Sequence, residues 1–413
     1  MSNATRILLA LVLGLVIGIA GASFSPALAN QAADIADPIG ALWLNGLRMT
    51  IVPLVVALLI TGIAQTAEAA RAGRLAGLSL AWIVTLMTLS AVMGAILMPM
   101  FLALFPMPTA SADALKAALT TAPSVAAVPP FGDFIRAVVP TNPIAAASND
   151  AILPLLIFTL VFAFALTKLP PEPRKSLTSF FSALADAMVI VVEWVIRLAP
   201  IGVFALALVV GARSGAAAFG ALLHYIVTVS SVGIVISLLA YPFAIFGARW
   251  SLKAYATAVA PVQALAISTQ SSLACLPLML RKSEDLGVPE ASAGVTLPMA
   301  VALLRATGPA MNLSVALYVA NWFGVELGAA QYAVAIFAAV LTSMGAVSLP
   351  GTVSFITSCA PICIAIGAPV EPLALLIAVE TLPDIFRTVG NVMHDVAVTG
   401  TVSRQNGTLE KAT

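Results

Sequence analysis

The chain has 413 residues, of which 61% are apolar and 9% charged, with a formal net charge of +1. Soluble domains average about 45–50% apolar and about 25% charged residues, so this composition excludes an ordinary soluble fold and indicates an all-α polytopic membrane protein. With no basic patch, nucleic acid is not an expected partner. The three cysteines, Cys275, Cys359 and Cys363, stand among apolar or small residues. Without a neighbouring His or further Cys they read as packing residues, and no cofactor is expected.

In chain order, Arg6, the apolar run 7–20 and Ala27-Leu28-Ala29 resemble a secretory signal. The run is long for that role and many apolar segments follow, so a retained first helix is expected. About 20 apolar residues cross a hydrocarbon core. The predicted crossings are 6–28, 42–65, 76–105, 151–168, 179–210 and 218–248. Beyond them, segments 251–281, 291–320, 330–370 and 372–400 are apolar but repeatedly interrupted by Ser, Thr, Gly and Pro.

Lys and Arg concentrate in cytoplasmic loops. Arg71 and Arg74, then Lys168, Arg174 and Lys175, then Arg249 and Lys253, then Arg281 and Lys282 mark one side, whereas residues 29–41 carry only Asp34 and Asp37. Both termini are therefore expected in the cytoplasm, with Arg404 and Lys411 in the tail. Segment 251–281 must then enter and leave on one side, with Ser268-Thr269-Gln270-Ser271-Ser272 at its tip. Segment 330–370, interrupted at Ser348-Leu349-Pro350-Gly351-Thr352, reads as a second hairpin entering from the opposite side. The expected fold is eight transmembrane helices plus two oppositely oriented re-entrant hairpins, an inverted repeat. Non-helical backbone at membrane depth is tolerated where it is buried or lines a cavity, and paired discontinuous segments point to a transport site.

The last helix carries the polar excess. At about 100° per residue, Asp384, Arg387, Asn391 and Asp395 fall within a sector of roughly 80°, with Glu380 beside them. A charge at the centre of a spanning helix costs about 2.5–3.5 kcal/mol. Such a stripe faces protein, water or a polar ligand, or else forms a self-neutralising ladder between helices. Because acids outnumber bases, it is the candidate binding site.

At these residues the chain resembles the dicarboxylate/amino acid:cation symporters, the glutamate transporter family, from about residue 6 to residue 402. The matching motifs occur in order. They are Arg48-Met-Thr-Ile-Val-Pro-Leu-Val55, Pro140-Thr-Asn-Pro143 before Leu153-Pro154, and Ala199-Pro-Ile-Gly-Val-Phe-Ala205. Ser271-Ser272 upstream of Leu276-Pro277, Pro350-Gly351, and Asp384-x-x-Arg387-Thr388-x-x-Asn391-x-x-x-Asp395 follow.

The resemblance implies a homotrimer in a bacterial inner membrane and an elevator-type cycle gated by the second hairpin. Residues 1–250 would be mainly scaffold, with the third and sixth crossings allied to a transport domain at 251–402, and 403–413 a cytoplasmic tail. Ser271 and Ser272 would hold a substrate carboxylate, Arg387 a side-chain carboxylate and Asp384 an α-ammonium. Thr388, Asn391, Pro350 and Gly351 would complete the site. Asp395, Asn391 and Asn312 would be sodium ligands. Arg387 matches a carboxylate fork, and relatives dedicated to C4-dicarboxylates lack an acid at the Asp384 position, so aspartate or glutamate is the expected substrate. A C4-dicarboxylate or neutral amino acid is the alternative.

The chain departs from the family pattern where an acid should follow Asn312, and has Gln270 before the serine pair and Ala274-Cys275 after it. Fewer sodium ions or proton coupling would follow, with Glu380 and His394 as possible proton carriers, although His394 lies off the stripe and reads better as a packing residue, like His224. An enzyme reading, with Ser271 or Ser272 beside His394, lacks any supporting motif. A channel reading lacks a repeated pore motif.

Overall fold

A computed structural model describes residues 3–70, 73–107, 139–149, 151–214, 217–345 and 351–409. Most of these residues are helical, and no strand occurs among them. In chain order the helices are α1 (Asn3–Phe24), α2 (Pro26–Ala70), α3 (Arg74–Leu104), α4 (Pro143–Ser148), α5 (Ile152–Leu166), α6 (Pro171–Arg197), α7 (Ala199–Ser214), α8 (Ala217–Leu238) and α9 (Ala240–Phe243). After a π-helical turn at Ala244–Ala248 come α10 (Leu252–Thr269), α11 (Ser272–Asp285), α12 (Glu290–Leu303) and α13 (Gly308–Phe323). The chain ends with α14 (Ala329–Gly345), α15 (Gly351–Ala365), α16 (Leu373–Val379) and α17 (Thr381–Gln405). Among the described residues, six stretches are long and apolar enough to cross a membrane: 5–24, 26–65, 74–104, 171–197, 220–248 and 290–323.

Several boundaries differ from the expected ones for identifiable reasons. Residues 29–41, read as an outer loop, continue α2 instead. That stretch is rich in alanine, the strongest helix former, and Ala33 and Ala36 pack on Ala205 and Val209 of α7. The single crossing expected at 179–210 is two helices meeting at Leu198. Pro200 lacks an N–H and its ring crowds the carbonyl four residues back, which breaks the helical ladder there. The last helix is likewise two pieces, joined at Glu380.

Close packing positions the first helices. A Cβ at Gly14 or Gly18 would stand 2.6 and 2.5 Å from carbonyl oxygens of α7, so these glycines allow α1 to lie against α7 backbone to backbone. Trp43 of α2 donates to the Val195 carbonyl (2.9 Å) and so ties α2 to α6. Arg48 of α2 pairs with Glu371, just before α16, at 2.5 Å.

The later elements pack on one another and on α2, α3 and α8. α3 packs along α13, and α8 along α17. One apolar cluster joins α10, α11, α12 and α17 through Tyr255, Val259, Met279, Leu297, Val392 and Val396. α10 and α11 pack on each other, separated by only Gln270 and Ser271, and α14 packs on α15.

Candidate functional site

Two backbone interruptions meet at one place. Gln270 adopts the left-handed conformation (φ 49°) and closes α10 by donating its N–H to the Ala266 carbonyl at 2.8 Å. Ser271 is then extended, and its hydroxyl caps α11 by accepting the Ala274 N–H at 3.3 Å. The second interruption separates α12 from α13 at residues 304–307, where Leu304 is extended and Gly308-Pro309 restarts the helix. Pro350 falls outside the described residues, as does the rest of 346–350, while Gly351 opens α15.

α17 holds the centre of this meeting point. Its Gly390 lies against Thr307 and Ser237, where any Cβ would collide with both side chains. That approach lets Thr307 reach α17: its N–H donates to Asn391 Oδ1 (3.0 Å). Its hydroxyl lies 2.6 Å from the Arg387 carbonyl and 2.7 Å from Asn391 Oδ1.

A cleft of about 140 Å³ results. The first hairpin contributes Gln270, Ser271 and Ser272, the unwound linker Leu304 and Arg305, α15 Ser354, and α17 Asp384, Arg387, Thr388 and Asn391. Thus Ser271, Ser272, Asp384, Arg387, Thr388 and Asn391, picked out from sequence on two separate segments, line one cavity. A larger cavity of about 790 Å³ lies between the ends of α2 and α5 and the start of α6, lined by Gln65, Arg174, Lys175 and Thr178. We favour the smaller one, because charged groups of both signs and two helix interruptions converge on it.

The charges are partly self-neutralised. Arg387, only 6% exposed, donates Nη1 to Asp384 Oδ1 at 2.6 Å and Nη2 to Glu380 Oε1. Glu380 is itself buried, and its second oxygen accepts from the Tyr225 hydroxyl of α8 at 2.7 Å. It stands behind Arg387, away from the cleft lining. The stripe therefore contains the short ion-pair ladder weighed from sequence, but the ladder leaves one acid out. Asp395 is 0% exposed, and neither of its carboxylate oxygens has a hydrogen-bond partner among the described residues. It lies within electrostatic reach of Arg305, Tyr255 and Cys275.

The remaining residues occupy other surroundings. Asn312, on α13, donates to Ser343 Oγ (3.4 Å) and stands near Cys359 Sγ (3.8 Å). No hydrogen bond joins it to Asn391 or Asp395 among the described residues. His394 is buried and donates Nδ1–H to the Gly390 carbonyl of its own helix at 2.9 Å. His224 bridges Tyr318 and the Phe105 carbonyl (3.1 and 2.7 Å). All three cysteines are free and buried. The sequence reading missed Arg305. A lone Arg inside an apolar run is itself a signal, but it was absorbed into a segment treated as a crossing helix.

An all-helical chain with long apolar spans and a charged cleft at helix interruptions has the structural ingredients of a membrane transport protein. The model of the Sodium:dicarboxylate symporter family matches residues 4–405, and the chain belongs to that family of transport proteins. It is 27% identical to the proton/glutamate-aspartate symporter of Escherichia coli K12, over 95% of this chain and 90% of that protein. It is also 27% identical to the proton/sodium-glutamate symport protein of Bacillus subtilis 168, covering 99% and 94% of the two chains. A C4-dicarboxylate transport protein of Azorhizobium caulinodans is 27% identical as well, with 98% and 89% covered.

Proposed function

We propose that this protein is a secondary active transporter that carries an acidic amino acid, aspartate or glutamate, across a bacterial inner membrane together with cations. The observation that supports this reading most is the meeting of Ser271 and Ser272 with Asp384, Arg387, Thr388 and Asn391 in one cleft at helix interruptions. Ser271, Ser272 and the amides opening α11 suit a carboxylate. Asp384 keeps Oδ2 for an ammonium, while Arg387 supplies positive charge for the side-chain carboxylate, with Thr388 and Asn391 beside it.

The coupling ion in this reading is Na⁺, bound at Asp395 with the Asn391 carbonyl; Asn312, expected as a further ligand, lies apart beside Ser343 and Cys359. A buried carboxylate with no protein partner calls for a cation or a proton, so H⁺ coupling is the alternative, with Glu380 and His394 as carriers. Pro350 and Gly351 belong to the gate formed by the second hairpin. Residues 251–402, with α3 and α8, form the moving body of an elevator, residues 1–250 otherwise form a trimeric scaffold, and both termini are cytoplasmic.

Purified protein in liposomes tests this directly. Labelled aspartate should accumulate under an inward Na⁺ or H⁺ gradient and show counterflow against unlabelled aspartate. Absence of counterflow would remove the carrier reading. A second reading, C4-dicarboxylate transport, is favoured by the bond from Arg387 to Asp384, which engages the acid meant for the ammonium. Succinate outcompeting aspartate in the same vesicles would select it.

A further inference from the structure

Two guanidinium groups line the cleft, and their surroundings differ. Arg387 faces two carboxylates, Asp384 and Glu380, so its charge is compensated within the protein. Arg305, in the unwound linker between α12 and α13, has no acid within ion-pair distance among the described residues. Its hydrogen bond is to a neutral group, from Nη1 to Ser354 Oγ of α15 at 3.2 Å. Asp384 and Asp395 influence it only through space. Taken together, Arg305, Arg387, Asp384 and Glu380 sum to zero, yet the balance is uneven. One guanidinium is doubly paired and the other is left facing the cavity.

We infer that Arg305 is a specificity-determining residue, the cation that a carboxylate of the transported anion neutralises. This rests on the reading of the cleft as an anion-transport site and sharpens it. Arg387 brings a charge already answered by its two acids, whereas Arg305 presents the uncompensated charge. A ligand with carboxylates at both ends would then place its side-chain carboxylate at Arg305 and Arg387 together and the other at the Ser271–Ser272 tip. Its amide isostere would leave the Arg305 charge unanswered in a partly buried place, and a cation without a counter-charge is costly there. The sequence position supports the same assignment. Arg305 stands in an apolar run, Ala-Val-Ala-Leu-Leu-Arg-Ala-Thr, where an arginine without a polar task is penalised. A merely structural role, fastening α15 to the linker through Ser354, is the competing account. It predicts lower stability and no change in ligand choice.

The test measures dissociation constants by ligand-induced thermal shift on the purified full chain, in detergent. It uses L-aspartate against L-asparagine and succinate against succinamate. Wild-type protein should prefer each diacid over its amide. Arg305→Gln should reduce that preference by about a hundredfold, the effect of losing a charge-assisted pair, while its ligand-free melting temperature stays within a few degrees. Arg305→Lys keeps the charge but not the planar fork and should lose about tenfold. It also decides the matter if Arg305→Gln does not fold. An unchanged diacid preference in the folded variants overturns the assignment of Arg305 and leaves the transport reading intact. Wild-type protein that binds neither diacid overturns both.

Discussion

Removing the charge of Arg387 is the most informative perturbation of the ladder. The guanidinium is 6% exposed and Glu380 2% exposed, so both charges lie beyond effective solvation. In Arg387→Gln, Glu380 keeps only the Tyr225 hydroxyl as a donor, and Asp384 loses its partner. Breaking one side of a buried pair costs about 3–5 kcal/mol, because the other charge is left uncompensated. Glu380→Gln alone should cost less, since Asp384 still pairs with Arg387. The double variant Glu380→Gln/Arg387→Gln removes the buried mismatch, so the two losses should not add. A coupling of about 1–3 kcal/mol is expected for directly bonded residues. Unfolding of purified protein in one detergent, followed by tryptophan fluorescence, gives the three differences. The double variant should melt above Arg387→Gln alone. Strict additivity of the two losses would refute the account of Arg387 as a charge held by buried acids. Transport should stay abolished in the double variant even where stability recovers, because the cleft has lost a cation.

Other outcomes follow from the same geometry. Asp395→Asn removes a buried acid without a partner, so the protein in choline chloride should become more stable by about 1–3 kcal/mol. The same variant should lose the rise in melting temperature that Na⁺ gives wild type, and a persisting sodium response would place the cation elsewhere. Gly390→Ala places a Cβ into Thr307 and Ser237 and should cost about 1–3 kcal/mol through overpacking. A melting temperature equal to wild type would show that α17 and the linker are not in such contact. Gln270→Gly relieves a left-handed residue at the hairpin tip and should raise stability by about 1 kcal/mol. Gln270→Val at the same position should lower it, and the same melting scans report both.

The legible parts of the site were those where chemistry contradicts its surroundings. Asp384, Arg387 and Asn391 stood out because charge and amide groups recur at helical spacing in an apolar run. Ser271 and Ser272 stood out as a polar tip. Their meeting in one cleft depends on α17 lying against the linker at Gly390, a non-local contact that no local pattern encodes. For the same reason the bond from Tyr225 to Glu380, 155 residues apart, was invisible. Other misses had local signals. Pro200 announced the break between α6 and α7, and Gly308-Pro309 marked the restart after Arg305, but a twenty-residue apolar window smooths over both. The long α2 was cut short because Asp34 and Asp37 read as loop residues, whereas Asp34 lies on the helix surface and pairs with Arg213 at 3.1 Å.

That long α2 has a mechanical meaning. Its 45 residues, with Pro38 and Pro53 inside the helix, would measure about 68 Å if straight, against a hydrocarbon layer of about 30 Å. Even tilted by about 40°, near the upper limit for membrane helices, it projects roughly 52 Å along the membrane normal. Leu28, Ile35, Ile39, Leu42 and Met49 are exposed along one stripe of it. Their span of about 32 Å at the helical rise is close to the lipid thickness. Where that face meets lipid, the stripe would set the depth and slope of α2. Thicker or thinner lipid must change that slope, and Arg48, bound to Glu371, hands the change to the segment that leads into α16 and α17. A change of lipid thickness would in this way reach the helix that holds Asp384 and Arg387.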